Sequence, residues 1–507
     1  MRTENGGSSG TADRDAVRAG GTDYERIFHP RRVAVVGVSP GGGIGFGTRY
    51  LTSLLAMGFE GEVFPVNPKG GEIAGLSIHK NVEDIPGELD LIVIAVAAEA
   101  VIPILEAGRQ KGAAGAVIIT SGFKELGTPE GMGREDEVRR IAASGIRVIG
   151  PNCFGIYCPK SGLTFFPNPD LSRESGPVAF LSQSGGLASD FMMTGMWMGL
   201  RFSKVVSFGN GADLREAELL RYLADDPETG VIAMYVEGVR DGSEFLDALK
   251  AASGKKPVVI LKGGLSSAGG RAVVSHTASL GGSRVIWESV LRQAGAVQVR
   301  DLQEMAQACL AFSLLPGKVY RGLSFTGGGG ALGIAACDAA ETFGLEAPPL
   351  GADARGQVEA LLPKSGASGV NPVDVANPYA PPVLLEKIFR AVAGDSRIDL
   401  QILIVLTHHF KGLAQDQGKT VEEVFPYREL ADRMKAVAVE TDKPVVFVLP
   451  NAKRGFPDMD VVEIHAKVRE AFLERGLPVF DEIGDAMRAI GHVNRYYGCC
   501  CGKGVES

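Results

Sequence analysis

"RRVAVVGVSPGGGIGFGTRYLTSLLAMGF", Arg31–Phe59, is the stretch whose reading decides the fold class. Arg32–Val38 is a short, almost wholly apolar run rich in valine, the composition of a strand buried on both faces. Ser39–Gly47 is a glycine-rich loop, and Tyr50–Met57 spaces its apolar residues as an amphipathic helix does. A buried strand that leads through a loop into a helix opens a βαβ unit, and such units build parallel sheets. The alternation continues downstream in "GEVFPVNPKGG", "LDLIVIAVAAEAV", "GAVIITSGFKE" and "IRVIGPNCFGI", which read as strands two to five. An α/β fold with doubly wound parallel sheets follows, with ligands expected at the carboxyl ends of the strands.

The same rhythm restarts twice. From Gly176 the strands are "GPVAFLSQSGGLASDFM", "RFSKVVSFGNGADL", "GVIAMYVEGV" and "KPVVILKGG". From Arg321 they are "RGLSFTGGGGALGIAACDAAETFG", "IDLQILIVLTHHF", "DKPVVFVLPNA" and "GLPVFDEIGDAMRAI". A length of 507 residues suits about three domains. The expected division is a disordered lead over 1–22, then domains over 23–150, 151–312 and 313–507.

Composition narrows the function. The formal net charge is −8 and no basic segment stands out, which argues against nucleic acid as a partner. No apolar run is long enough to cross a bilayer, and the first residues lack the apolar stretch of a secretion signal. The seven cysteines show no zinc spacing, so no metal site is predicted and a reducing, cytoplasmic setting is expected. Cys499, Cys500 and Cys501 read as a frayed, reducible tail. The 68 glycines cluster after the strand-like runs, where they read as binding turns.

The loops are informative one by one. "GVSPGGGIGFGTRY" does not place its glycines as G-x-G-x-x-G, and the acid that would hold a ribose hydroxyl after the second strand is replaced by "VNPKGG". Lys69 there suits a ribose phosphate, which both NADP and coenzyme A carry; it would equally be a plain surface lysine. Ser184, Gly185 and Gly186 of "SQSGG" open a helix and would offer backbone N–H groups to an anion. Gly328, Gly329 and Gly330 of "TGGGGALG" would do the same in the third group, although glycine turns end strands in any α/β protein. His276 lies in "SHTASLGG", a loop of small residues, where a solvated surface histidine is the plain expectation.

Taken in order, "VNPKGG", "ITSGFKE", "GPNCFGI", "SQSGG", "SFGNGADL", "YVEGVRDG", "KPVVILKGG", "SHTASLGG" and "NPVDV" resemble the alpha subunit of the NDP-forming acyl-CoA synthetases. These are the ADP-forming acetyl-CoA synthetase type, related to succinyl-CoA synthetase, and the resemblance runs over roughly residues 23 to 490. It implies a Rossmann-like coenzyme A-binding domain followed by two flavodoxin-like ligase domains. It implies that His276 is the histidine phosphorylated in turnover and that Glu237 is the carboxylate supporting it. The phosphoryl group would rest on the helix starts at Ser184–Gly186 and Gly328–Gly330. Asn152 and Cys153 would lie near the coenzyme thiol, with Cys153 a packing neighbour, and Ser39 and Lys69 would lie at the nucleotide end.

The resemblance further implies an acid–thiol ligase acting on a small carboxylic acid, with ATP or ADP and Mg2+ held by a separate ATP-grasp beta subunit in a hetero-oligomer. All three groups of strands are accounted for without such a module. Ala278 stands where a glycine is common in the family. His408 and His409 in "LTHHF" match no family feature; they would line an acyl pocket or simply cap a strand. A non-catalytic subunit that senses coenzyme A or acyl-CoA is the alternative from another class, and an NADP-dependent oxidoreductase is opposed by the broken glycine pattern. Which acid is used is not legible.

Overall fold

The computed structural model describes residues 22–164, 171–271, 283–327 and 329–501, without the side chains of Cys500 and Cys501. Three sheets carry the chain. The first contains β1 (Arg32–Val36) and β2 (Glu62–Val66). A short antiparallel pair, β3 (Glu72–Ile73) and β4 (Leu76–Ser77), follows. Then come β5 (Leu91–Ile94), β6 (Gly115–Ile118) and β7 (Arg147–Ile149). The five main strands are parallel in the order β2-β1-β5-β6-β7. The chain thus winds one way from β1 and then the other, and the reversal falls between β1 and β5. Every residue of β5 and β6 is buried, as helices on both faces of a sheet require. The helix after β1 begins at Phe46, four residues before the expected start, with Gly45 at its N-cap. Gly37 has φ +97°, and a Cβ there would stand 2.1 Å from the Ala95 carbonyl oxygen. Only glycine allows the β1 loop to come so close to the end of β5.

The second sheet is built from β8 (Gly155–Tyr157), β9 (Ser175–Ser182), β10 (Phe202–Ser207), β11 (Val231–Val236), β12 (Val258–Lys262) and β13 (Val297–Val299), in the order β13-β12-β11-β9-β10-β8. Setting β8 aside, this is the first sheet's order again, with the reversal between β9 and β11. β8 pairs antiparallel with β10. "IRVIGPNCFGI" is therefore not one strand but two: Arg147–Ile149 closes the first sheet and Gly155–Tyr157 edges the second. The turn between them passes through Gly150 at φ +105° and Asn152 at φ +56°, a sharp change of direction that a run of apolar residues hides.

The third sheet has β14 (Leu323–Gly327), β15 (Leu400–Ile404), β16 (Val445–Val448) and β17 (Val479–Phe480), parallel and in that order. Val373 forms a parallel bridge to Thr326 of β14. The described residues of Met1–Met193 and Arg201–Gln298 form one compact unit, and those of Thr194–Leu200 and Val299–Ser507 form another. The first two sheets thus share a unit. The C-terminal segment read as a frayed tail is instead the end of a helix, Ile483–Cys501, with Cys499 exposed on it. Among the described residues no helix is long and apolar enough to cross a membrane.

Candidate functional site

Loops at the carboxyl ends of strands in both sheets of the first unit line one cleft of roughly 450 Å3. From the first sheet it is lined by Ala95 and Val96 after β5, Thr120 after β6, and Asn152–Phe154 after β7. From the second come Gln183–Gly186 after β9, and Gly209 and Asn210 after β10. The carboxyl ends of the strands, where the order of winding changes, are where an α/β sheet leaves room for a ligand.

The predicted residues divide into groups. Asn152, Cys153, Ser184, Gly185 and Gly186 are brought together in this cleft. Asn152 donates through Nδ2 to Asn210 Oδ1 at 3.4 Å, and Asn210 donates in turn to Glu125 at 2.5 Å and Glu135 at 2.9 Å. Gly209 makes the approach possible: its φ is +55°, and a Cβ would meet the Asn152 carbonyl oxygen at 2.2 Å. Cys153 is buried, its Sγ donates to Ile118 O at 3.3 Å, and burial pushes its thiol up to about 12. Burial therefore favours its thiol form at neutral pH.

Ser184 caps the helix Gly185–Trp197: its Oγ accepts from the Leu187 N–H at 3.3 Å, and its own N–H donates to Ser182 Oγ at 3.1 Å. Gln183 ties this turn to the end of β11. Its Nε2 donates to Gly238 O at 2.9 Å, and its Oε1 accepts the N–H groups of Glu237 and Gly238. Glu237 is only 5% exposed and its Oε1 accepts from the Tyr235 hydroxyl at 3.2 Å. The predicted carboxylate and the predicted anion turn are thus locked to each other across the second reversal.

Ser39 and Lys69 lie on adjoining loops at the ends of β1 and β2. Asn67 Nδ2 donates to Val38 O at 2.6 Å while its Oδ1 accepts the Lys69 N–H at 2.9 Å. Ser39 donates its N–H to Thr48 Oγ1 at 2.8 Å, and Lys69 is exposed. Gly329 and Gly330 open the helix Gly330–Thr342 in the second unit. His276 and Gly328 lie outside the described residues.

Residues 31–159 match the family described as "CoA binding domain", and residues 175–312 match "Succinyl-CoA ligase like flavodoxin domain". The acetate–CoA ligase [ADP-forming] I subunit alpha of Pyrococcus furiosus is 39% identical over 63% of this chain and 70% of its own length. The corresponding II subunit alpha of the same organism is 33% identical over 92% of this chain and 96% of its own. The chain belongs to the ADP-forming acyl-CoA synthetases. The structure of the acetyl-coenzyme A synthetase 1 of Ca. Korarchaeum cryptofilum with phosphate and ADP superposes with a TM-score of 0.80 at 30% identity, covering 96% of this chain and all of that one. Other relatives are longer, and the chain spans about half of each. As a member of this family the synthetase is an acid–thiol ligase with a CoA-binding domain.

The acyl-CoA synthetase also carries polar groups that sequence reasoning missed. Lys262 ends β12 and is 4% exposed; its Nζ donates to the Glu237 carbonyl oxygen at 2.7 Å and lies 4.9 Å from the centre of the Trp287 ring. The available signal was a lysine closing an otherwise apolar strand. Desolvation pushes Lys262 down to about 8, only partly opposed by the Glu237 carboxylate. A lysine whose pKa is lower folded than unfolded binds fewer protons in the native state, so its contribution raises stability as pH climbs from about 8 towards 10.5. In Lys262→Met that part of the pH slope is expected to vanish. Urea midpoints of both proteins from pH 7.5 to 10.5 check this; parallel curves would remove Lys262 as their source.

Proposed function

We propose that this chain is the CoA-ligase subunit for carboxylate + CoA + ATP ⇌ acyl-CoA + ADP + phosphate, running through an acyl phosphate and a phosphohistidine. The observation that supports it most is the single cleft joining Asn152–Phe154 of the CoA-binding sheet to the Ser184–Gly186 turn, with Glu237 bound to that turn through Gln183. The ligase names of the relatives favour catalysis over sensing.

Coenzyme A fits the first sheet: the Ser39 and Lys69 loops would take its nucleotide end, and Asn152 would face its thiol end. Bound there, the coenzyme supplies the thiol that accepts the acyl group. The backbone N–H groups at Gly185 and Gly186 would hold the phosphoryl group by partial charge and hydrogen bonds. His276 would take the phosphoryl group on one ring nitrogen, with Glu237 fixing the other as a donor and favouring the charged ring. In the second unit Gly328–Gly330 would form a further anion site. Both Pyrococcus relatives are named as alpha subunits. That supports an ATP-grasp beta subunit holding ATP or ADP with Mg2+, and a hetero-oligomer in the cytoplasm.

Calorimetry with coenzyme A tests the reading. Lys69→Ala is expected to weaken coenzyme A about fivefold and dephospho-CoA hardly at all, because an exposed ion pair contributes up to about 1 kcal/mol and only the former carries the 3′-phosphate. Equal losses would take Lys69 out of the site, and no coenzyme A binding by the unaltered chain would overturn the function.

A further inference from the structure

The second unit holds a half-open pocket of roughly 260 Å3 at the carboxyl ends of β14 and β15. Its position repeats the logic of the first unit. The chain leaves β14, returns at Val373 to bridge its free side, and then crosses to β15 on the other side. The winding order therefore reverses between β14 and β15, and the cavity opens where a reversal leaves space.

The wall is apolar and aromatic. Val375, Leu385, Leu403, Phe410, Phe425 and Leu430 line it, and none is more than 6% exposed. Phe410 and Phe425 stack with ring centres 4.2 Å apart, and Tyr379 sets its edge against Phe410 at 5.4 Å. The polar lining groups are the more exposed ones, which puts them at the opening: the backbone at Gly329, the Asn377 amide, the His409 imidazole and the Asp374 carboxylate. Asp374 Oδ1 is engaged by the Ala376 N–H at 2.9 Å. The first helical N–H groups after Gly329 have no side-chain cap. An apolar chamber whose mouth offers the Gly329 backbone, the Asn377 amide and the His409 ring, beside a carboxylate already bound by the Ala376 N–H, suits an amphiphile with an apolar body and an anionic head.

Volume chooses the body. A dry apolar cavity of about 150 Å3 is enough to bind benzene. Acetate would leave most of this chamber empty, whereas a phenyl ring with a short carboxylated arm fills it. Resting on the ligase reading of this chain, we propose that the cavity is the acyl subsite, that it takes an aromatic monocarboxylic acid of the size of phenylacetate, and that it holds the carboxylate at the Gly329, Asn377 and His409 rim. His409 is then a rim donor rather than a strand cap.

The test measures binding of phenylacetate and of acetate to the full chain by calorimetry or ligand-detected NMR, without turnover. Phenylacetate is expected to bind at least about 30-fold more tightly, the effect of burying a ring that acetate lacks. Ala380→Phe projects a ring into the chamber from the half-buried end of the 374–380 loop, and Pro378→Trp narrows the exposed mouth. Each is expected to weaken phenylacetate at least tenfold, with coenzyme A affinity unchanged as the sign of an intact fold. Less than a tenfold preference over acetate, or full phenylacetate affinity in both variants, overturns the proposal. Coenzyme A binding by the same samples reports separately on the ligase reading, so the two fail independently.

Discussion

His276→Ala is expected to leave the chain unable to accept any phosphoryl group. Wild-type chain, supplied with ATP and an ATP-grasp partner, or with acyl-CoA and phosphate, should take up label in an acid-labile, base-stable linkage. That stability pattern marks a phosphoramidate and separates it from a serine ester. The expectation comes from the sequence and the family, since His276 lies outside the described residues. It gains physical support from its surroundings in the chain: "SHTASLGG" follows β12, whose last residue, Lys262, pairs in register with Val236 beside Glu237. A nucleophile on carbonyl or phosphoryl centres works at neutral pH when its pKa is near ambient, as imidazole's is. Undiminished labelling of His276→Ala, or label that survives acid, would remove the phosphohistidine route.

Glu237→Gln is expected to slow phosphorylation by roughly 10- to 150-fold. The residue is 5% exposed, its backbone N–H is bound by Gln183 and its carbonyl by Lys262, so the side chain has little freedom to relax. Glutamine keeps the size and can still meet the Tyr235 hydroxyl, but it cannot stabilise an imidazolium-like ring. A charge-assisted hydrogen bond of this kind contributes about 1.5–3 kcal/mol, and 1.4 kcal/mol is a factor of ten. Rapid-quench measurement of label uptake at saturating donor reads the step directly. A wild-type rate in Glu237→Gln would leave His276 in place and release Glu237 from the chemistry.

Much of this was readable because the decisive signals are local. A wholly apolar strand followed by glycine and a helix lies within thirty residues of sequence, and each such unit found its place in a parallel sheet. The turns "SQSGG" and "GPNCFGI" were legible as places where backbone comes near a ligand. What was not legible depends on partners far away in the chain. Gln183 binds Glu237 from 54 residues off, and Asn210 reaches Glu125 and Glu135 across 85 and 75. No periodicity encodes such pairs. Strand β10 also shows the limit of composition: Lys204 is completely buried within it, bound by Asp226 at 2.8 Å and Glu228 at 2.6 Å, and only those later acids explain it. The cavity in the second unit escaped for a like reason, being assembled from four separate stretches between 327 and 430.

The division of "IRVIGPNCFGI" between two sheets bears on how such enzymes can be recombined. Gly150 O and Val148 O accept the N–H groups of Ala212 at 2.8 Å and Leu214 at 3.0 Å, and Asp213 holds both the Val148 N–H and the Arg147 guanidinium. Six residues further on, the same chain has become the edge strand of the neighbouring sheet. A chimera that borrows its coenzyme-binding half from one relative and its histidine half from another would break this seam whichever side of it the crossover fell. Exchange of substrate preference between relatives is therefore expected to succeed with crossovers near residue 298, where the first unit ends, and to give insoluble protein with crossovers near residue 150. Ancestral fusion and fission in such a lineage would be constrained to inherit the first two sheets together.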